Sequence, residues 1–229
     1  MQLGIKAVGF DLDGTLIKTH VDYEAIHVAD LEVFRTNGIP YEEIYDSEDH
    51  TVRLRKPLRT WLEAHGEADR FQGISDEIDA LYTSIEMQYI DEATPFPGSM
   101  ECIDTIHASG LKVGVLTRGS LRYAKAVLEQ CGMLDCMDAV MGRDSTDYDD
   151  AKPSPVAMRD FASMMGVEPE EVLYIGDNPA DFHCARDAGS MFIGVLSGIA
   201  DANTWERESP GMMTLDYAGS IVDILEFLI

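Results

Sequence analysis

Two acidic residues, Asp11 and Asp13, stand at the end of a short apolar run near the beginning of the chain. The run Val8–Phe10 predicts a buried strand that stops at Asp11, and Gly14 permits a sharp turn directly after the pair. This spacing suits a carboxylate nucleophile with a second carboxylate placed to move a proton. It also suits a hard divalent cation, which prefers oxygen ligands. A strand followed by an ordinary Asp-Gly turn is the alternative that carries no chemistry.

The segment Asp11–Thr15 resembles the first motif of the haloacid dehalogenase-like hydrolases, most of which are phosphatases. The resemblance implies three further motifs in a fixed order along the chain. They are a Ser or Thr that ends the second core strand, a Lys well downstream, and acidic residues after another strand. In the phosphatase branch that is phosphoglycolate phosphatase-like, a helical cap is inserted after the first motif.

Each implied motif has a match at the end of a predicted strand or the start of the next helix. Thr117 follows the predicted strand Lys112–Leu116, and Lys152 directly precedes a proline. Asp177 ends the apolar run Val172–Ile175, and Asp181 comes four residues later. One such match could arise by chance, but four matches in the right order are specific. The resemblance covers residues 1–17 and about 94–229, whereas it covers the segment between them only by position.

The resemblance also implies roles. Asp11 would attack phosphorus and form an aspartyl-phosphate, while Asp13 would protonate the leaving oxygen and then take a proton from the hydrolytic water. Mg²⁺ would be held by Asp11, by the backbone carbonyl of Asp13 and by Asp177, with Asp181 either a direct ligand or a partner of one. Because an Asp near a helix start also caps the helix, that role stays open for Asp181.

Thr117 and Lys152 would hold the phosphoryl oxygens, and Thr15 and Arg118 are further candidates for substrate binding. Arg118 could bond a phosphate bidentately, or it could be a surface cation paired with an Asp. Three alternatives to a phosphatase stay open. A dehalogenase of the same superfamily would not need an acid at position 13, a sugar phosphomutase would share all four motifs, and a binding module without activity would normally have lost one of them.

Strands alternate with helices from residue 99 onward, which predicts an α/β fold with a Rossmann-like parallel sheet and helices on both faces. The discontinuous core would comprise 1–17 and 94–229. Between them, residues 18–93 read as an all-helical cap whose helices start near Tyr23, Pro57 and Ser75. A final helix is predicted over Ile221–Leu228. In such sheets ligands bind at the carboxyl ends of the strands, where the motifs fall.

The predicted cap contains the one dense basic run of the chain, 53–59, in which Arg53, Arg55, Lys56 and Arg59 follow one another closely. These residues could bind a second anionic group of the substrate, or they could form a surface patch paired with the acidic residues of the cap. Lys18 and His20, just beyond the first motif, are weaker candidates.

The chain carries 42 acidic and 17 basic residues among 229, a formal net charge of −25. This charge argues against nucleic acid and anionic membranes as partners and favours a small phosphorylated metabolite that meets cations in a pocket. The four Cys form no C-x-x-C pair, so reduced thiols in the cytoplasm are expected. No apolar run reaches membrane-spanning length and no signal-peptide pattern is present. A monomer or a homodimer is expected.

Overall fold

A computed structural model describes residues 4–44 and 54–228 of the chain. The described residues form two compact units. One comprises the described residues up to His20 and from Tyr89 onward, and the other comprises Val21–Gln88. The cap predicted from the sequence, residues 18–93, is a few residues longer at each end than this second unit.

The first unit is built around a parallel sheet. In chain order the strands are β1 Ala7–Phe10, β2 Ile17–Lys18, β3 Thr94–Pro95, β4 Lys112–Leu116, β5 Ala139–Met141, β6 Val172–Gly176, β7 Met191–Val195 and β8 Thr214–Leu215. Within the described residues, six strands pair in the order β5-β4-β1-β6-β7-β8, and every pair is parallel. β2 and β3 form a separate antiparallel pair. The predicted α/β fold with a parallel sheet is confirmed, but the sequence did not predict β2, β3 or β8.

The helices, again in chain order, are α1 Tyr23–Thr36, α2 Tyr41–Ile44, α3 Arg55–Ala64, α4 Phe71–Glu86, α5 Ser99–Ala108, α6 Leu121–Gln130, α7 Pro155–Met165, α8 Pro179–Ala188, α9 Ala202–Glu208 and α10 Leu225–Leu228. The first four belong to the second unit. The predicted final helix Ile221–Leu228 is divided, because a 3₁₀ segment, Ala218–Asp223, precedes α10. α7 begins at Pro155, and the side chain of Ser154 caps it by accepting from the backbone N–H of Val156.

Both faces of the central strands are buried, which explains why β1, β4 and β6 read as continuous apolar runs. α7 approaches β1 and β4 closely at two glycines. A Cβ on Gly9 or on Gly114 would lie 2.6 or 2.8 Å from the ring of Phe161. The glycines therefore let α7 pack directly on the sheet and fix the position of the loop that precedes it. Among the described residues, no helix is both long enough and apolar enough to cross a membrane.

Candidate active site

Three neighbouring strands bring the predicted site residues to one edge of the sheet. β1 lies between β4 and β6, and all three run parallel, so their carboxyl ends lie side by side. Asp11 follows β1, Thr117 follows β4 and Asp177 follows β6. The backbone N–H of Asp11 continues the pairing by donating to the carbonyl of Ile175. The chain adds β4 and β5 on one side of β1 and then β6, β7 and β8 on the other, so the strand order reverses at β1. Parallel sheets bind ligands at such a switch point.

The side chain of Lys152 joins the groups that come from these strands. Its Nζ donates to Oδ1 of Asp11 at 2.6 Å, to Oδ1 of Asp181 at 2.7 Å and to the hydroxyl of Tyr174 at 2.8 Å. The side chain has no exposed surface. Burial alone would lower the pKa of Lys152, but the carboxylates of Asp11 and Asp181 raise it to about 12. Lys152 is therefore a fully charged, fixed cation inside the site.

Tyr174 is a member of this cluster for which the sequence analysis found no role. It lies in β6, and its hydroxyl donates to the backbone carbonyl of Leu116 at 2.6 Å while accepting from Lys152. Burial, together with the neighbouring Asp181 and Asp11, raises the pKa of Tyr174 well above its usual value. The phenol therefore stays protonated and acts as a support for Lys152. The only sequence signal was a single polar side chain in the most apolar strand.

Asp11, Asp177 and Asp181 are all buried, and one oxygen of each lies within 4.8 Å of one oxygen of the others. Burial raises the pKa of Asp11; Lys152 opposes that shift, while Asp181, Asp177 and Asp13 add to it. Burial and the adjacent Asp181 raise the pKa of Asp177 to about 6. Three carboxylates share a single lysine, which is an excess of negative charge that a divalent cation would neutralise. The oxygen-only donor set fits a hard cation.

Three glycines provide the space that these carboxylates occupy. A Cβ on Gly198 would lie 1.9 Å from Oδ2 of Asp177, and a Cβ on Gly14 would lie 2.7 Å from the same oxygen. A Cβ on Gly176 would lie 2.5 Å from Oδ2 of Asp181. Gly14 also has a φ of +80°, which favours glycine at this turn. Substituting any of the three would force a carboxylate out of its present position.

Asp181 and Asp177 differ in how their oxygens are already used. Oδ2 of Asp181 accepts from the backbone N–H of Asn178 at 3.0 Å, while Oδ1 accepts from Lys152. In Asp177, Oδ2 accepts from the N–H of Ile199 at 2.7 Å, and within the described part of the chain Oδ1 receives only a long bond of 3.4 Å from Thr15. Asp177 therefore has more capacity left for a cation. Asp181 combines capping of α8 with the ion pair to Lys152.

Asp13 comes two residues after Asp11 and is partly exposed. Its Oδ1 accepts from the hydroxyl of Thr19 at 2.6 Å and from the hydroxyl of Tyr123 at 2.6 Å. The sequence analysis identified neither hydroxyl. Tyr123 lies 110 residues away in α6 and carried no motif by which it could have been found.

The remaining candidates of the core unit occupy distinct positions. Thr117 is buried, and its hydroxyl accepts from the backbone N–H of Gly119 at 3.0 Å. The hydroxyl of Thr15 points to Asp177, so it is engaged in the acidic cluster. Arg118 is half-buried, and its backbone carbonyl accepts from the guanidinium of Arg143 at 3.2 Å. Lys18 lies in β2 and, together with Phe96 and Tyr217, lines a cavity of about 470 Å³.

The basic run of the second unit divides into side chains with different surroundings. Arg53 lies outside the described residues. Arg55 is buried and forms an ion pair with Asp79, which places it in the interior of the helical unit. Lys56 is exposed, and the guanidinium of Arg59 lies 4.2 Å from the ring centroid of Phe71. A buried Arg55 stabilises this unit, so of the described members Lys56 offers the most accessible charge.

The family model for haloacid dehalogenase-like hydrolases matches residues 5–189, which is most of the chain. The chain belongs to the haloacid dehalogenase-like hydrolase family. Two curated relatives match over nearly the whole length. They are a phosphoglycolate phosphatase of Chromobacterium violaceum, 29% identical over 97% of each chain, and an N-acetylmuramic acid 6-phosphate phosphatase of Pseudomonas aeruginosa, 24% identical over 98% of this chain and 96% of the other.

Solved structures have the same fold. A predicted phosphoglycolate phosphatase from Haemophilus somnus superposes with a TM-score of 0.63 at 18% identity, covering 97% of this chain and 98% of that one. A β-phosphoglucomutase from Clostridium difficile superposes with a TM-score of 0.67 at 18% identity, covering 98% and 96%. Enzymes of the haloacid dehalogenase-like family usually use a metal ion, and the Asp11, Asp177 and Asp181 carboxylates fit one.

Proposed function

We propose that the protein is a Mg²⁺-dependent phosphomonoester hydrolase that acts on a small phosphorylated metabolite through an aspartyl-phosphate intermediate. The observation that carries the proposal is the contact between Asp11 and Lys152. It fixes a buried carboxylate and a buried cation 2.6 Å apart at the carboxyl end of the central strand. Membership of a hydrolase family and the phosphatase names of the curated relatives support the same activity.

In the first half-reaction, a carboxylate oxygen of Asp11 forms a bond to phosphorus, and the ester P–O bond breaks. Asp13 gives its proton to the leaving oxygen, so the alcohol departs neutral. In the second half-reaction, the same carboxylate takes a proton from water as the water oxygen bonds to phosphorus. The bond between phosphorus and Asp11 then breaks, which releases inorganic phosphate and regenerates both carboxyl groups.

The other residues bind and orient the phosphoryl group. Lys152 holds Asp11 in position and offers positive charge to a phosphoryl oxygen, with Tyr174 supporting its ammonium group. The hydroxyl of Thr117 offers a further donor at the end of β4. When bound, Mg²⁺ would neutralise phosphate charge and orient the substrate, held by Asp11, the backbone carbonyl of Asp13 and Asp177. The bonds that Asp181 already makes favour a supporting position for it.

The helical unit Val21–Gln88 is the part of the chain that we assign to substrate selection. Its exposed Lys56 is the described cation that we assign to a second anionic group of the substrate. Phosphoglycolate and sugar phosphates are the first compounds to test. One relative is named a phosphoglycolate phosphatase, and another is named a phosphatase of the sugar phosphate N-acetylmuramic acid 6-phosphate. The net charge of −25 favours free metabolites over nucleic acid or anionic membranes. The lack of a C-x-x-C pair among the four Cys supports reduced thiols and hence a cytoplasmic enzyme.

The test is release of inorganic phosphate from a panel of phosphate esters in the presence of Mg²⁺, with parallel detection of isomerised phosphosugars. Asp11→Asn should lower kcat on the order of 10³-fold or more while the protein stays folded, because an amide cannot replace the nucleophile. Asp160→Asn, an exposed carboxylate on α7, is the matched control and should be as active as the wild type. Near-normal turnover in folded Asp11→Asn protein, or an isomer as the sole product, would overturn the proposal.

A further inference from the structure

Asp13 is held at one of its two oxygens. The hydroxyls of Thr19 and Tyr123 both donate to Oδ1, each at 2.6 Å. Among the described residues, Oδ2 receives no hydrogen bond. The two bonds to Oδ1 fix the orientation of the carboxylate and leave Oδ2 as the oxygen available to a bound substrate.

The two hydroxyls reach Asp13 from different parts of the core unit. Thr19 follows β2, close to the end of the segment that enters the helical unit. Tyr123 comes from the first turn of α6, a helix that directly follows the β4 strand end and Thr117. The ring of Tyr123 is buried, so its hydroxyl has few positions available. A short Thr side chain and a packed Tyr ring thus converge on the same atom.

The surroundings of Tyr123 hold its ring in one position. The hydroxyl of Ser120 accepts from the backbone N–H of Tyr123 and caps α6. The carboxylate of Asp144 accepts from the N–H of Leu121 at 2.7 Å. A Cβ on Gly119 would lie 2.8 Å from Cδ1 of Tyr123, so the absence of a side chain at Gly119 provides the space for the ring.

We infer that Tyr123 is a positioning residue for the general acid and base: its hydroxyl holds Oδ1 of Asp13 and leaves Oδ2 as the oxygen that faces the leaving group. The inference rests on the proposed phosphatase chemistry. A carboxyl group that gives up a proton and later takes one back must present the same atom at the same place each time. The sequence motifs place Asp13 beside Asp11, but they do not determine which oxygen of Asp13 faces the reaction.

The test uses the leaving group. An alkyl alcohol leaves poorly unless it is protonated, whereas p-nitrophenolate leaves without a proton. Because kcat/KM reports the steps up to cleavage of the ester bond, Tyr123→Phe should lower kcat/KM for an alkyl phosphate about 10- to 100-fold, the range for one hydrogen bond to a charged group. The kcat/KM for p-nitrophenyl phosphate should change less than about threefold. Asp13→Asn should show the same selectivity with a larger loss.

Two further variants separate positioning from a loss of folding. Gly119→Ala keeps the hydroxyl but pushes on the ring, so it should show the same preference for the better leaving group. Tyr82→Phe removes a similar bond, that from the Tyr82 hydroxyl to Asp30 at 2.7 Å, in the helical unit. It should leave the ratio of the two kcat/KM values unchanged. Thermal unfolding of each variant shows whether it is folded at the assay temperature.

The outcomes are distinct. If folded Tyr123→Phe loses kcat/KM equally on both esters, or on neither, the inference fails and Tyr123 has only a packing role. If the wild type hydrolyses neither ester with Mg²⁺ present, the proposed function fails instead. The inference is supported if the kcat/KM for the alkyl phosphate, divided by that for p-nitrophenyl phosphate, falls in Tyr123→Phe and Gly119→Ala but not in Tyr82→Phe.

Discussion

Nζ of Lys152 and Oδ1 of Asp11 lie 2.6 Å apart although 141 residues separate them in the chain. Neither side chain is appreciably exposed, and the same ammonium group also contacts Asp181 and Tyr174. One lysine thus offsets the charge of a buried acidic cluster and orients the candidate nucleophile. Its removal should affect stability and activity together.

Lys152→Met should lower the free energy of unfolding by about 3–5 kcal/mol, because it leaves the buried carboxylates of Asp11 and Asp181 without their cation. Urea denaturation of the metal-free protein measures this loss. Lys112→Met is the matched control, since Lys112 is exposed and pairs with Asp138 at the surface. It should cost less than about 1 kcal/mol. Equal losses in the two variants would contradict the structural role assigned to Lys152.

Asp177→Ala should raise the Mg²⁺ concentration needed for half-maximal activity by at least about tenfold, because it removes a charged oxygen from the acidic cluster. Mg²⁺ should also raise the melting temperature of the wild type, since a ligand that binds only the native state stabilises it. That increase should be much smaller in Asp177→Ala.

The exposed Asp187 of α8 provides the control for this metal prediction, and Asp187→Ala should behave like the wild type in both measurements. A chelator should silence the wild type, and added Mg²⁺ should restore its activity. An enzyme that works equally well in excess chelator would refute the assignment of the metal.

Asp30, in the helical unit, should make the stability of the protein depend on pH. It is fully buried; its Oδ1 accepts from the hydroxyl of Tyr82, and within the described residues its Oδ2 has no hydrogen-bond partner. Burial raises the pKa of Asp30 to about 6, although Tyr82 and Arg55 oppose the shift. Because the native carboxyl binds its proton more tightly than the unfolded one, stability should fall as the pH rises from about 4 to above 6.

Asp30→Asn should remove this fall, because the amide stays neutral. The variant should exceed the wild type in free energy of unfolding at about pH 7.5, by at most about 3 kcal/mol, and the difference should shrink towards pH 5. Urea unfolding at the two pH values measures it, with the exposed Asp69→Asn as control. A difference that does not change with pH would show that Asp30 does not titrate in this range.

Arg55 is buried and its sequence neighbour Lys56 is exposed. Substitutions at the two positions therefore distinguish an effect on stability from an effect on substrate binding. Arg55→Ala removes the ion pair between the buried Arg55 and the partly exposed Asp79 and should lower the free energy of unfolding by about 1.5–3 kcal/mol. Any loss of kcat/KM should then be similar on every ester.

Lys56→Ala should leave stability unchanged within about 0.5 kcal/mol, because the side chain is exposed. If Lys56 meets a second anionic group, kcat/KM should fall about tenfold for an ester that carries a carboxylate and stay constant for p-nitrophenyl phosphate. Equal kcat/KM values for wild type and Lys56→Ala on both esters would show that Lys56 has no role in substrate binding.

The motifs could be located from the sequence because each depends on a local pattern. Asp11, Thr117 and Asp177 each follow an apolar run that is long enough for a buried strand and too short for a helix. Strands alternating with helices require a parallel sheet, and parallel strands place their carboxyl ends along one edge. The sequence by itself therefore determined the fold class and the position of Asp11, Thr117 and Asp177 after strands whose carboxyl ends share one edge of the sheet.

The tertiary structure decided how those residues contact one another. The order of the strands brings β6 beside β1, and only this order places Tyr174 where its hydroxyl supports Lys152. Tyr123 reaches Asp13 because α6 starts beside the end of β4, and Arg55 is buried because Asp79 on another helix faces it. These contacts join positions from 22 to 110 residues apart. No local periodicity encodes them, because they arise only when separate elements pack against one another.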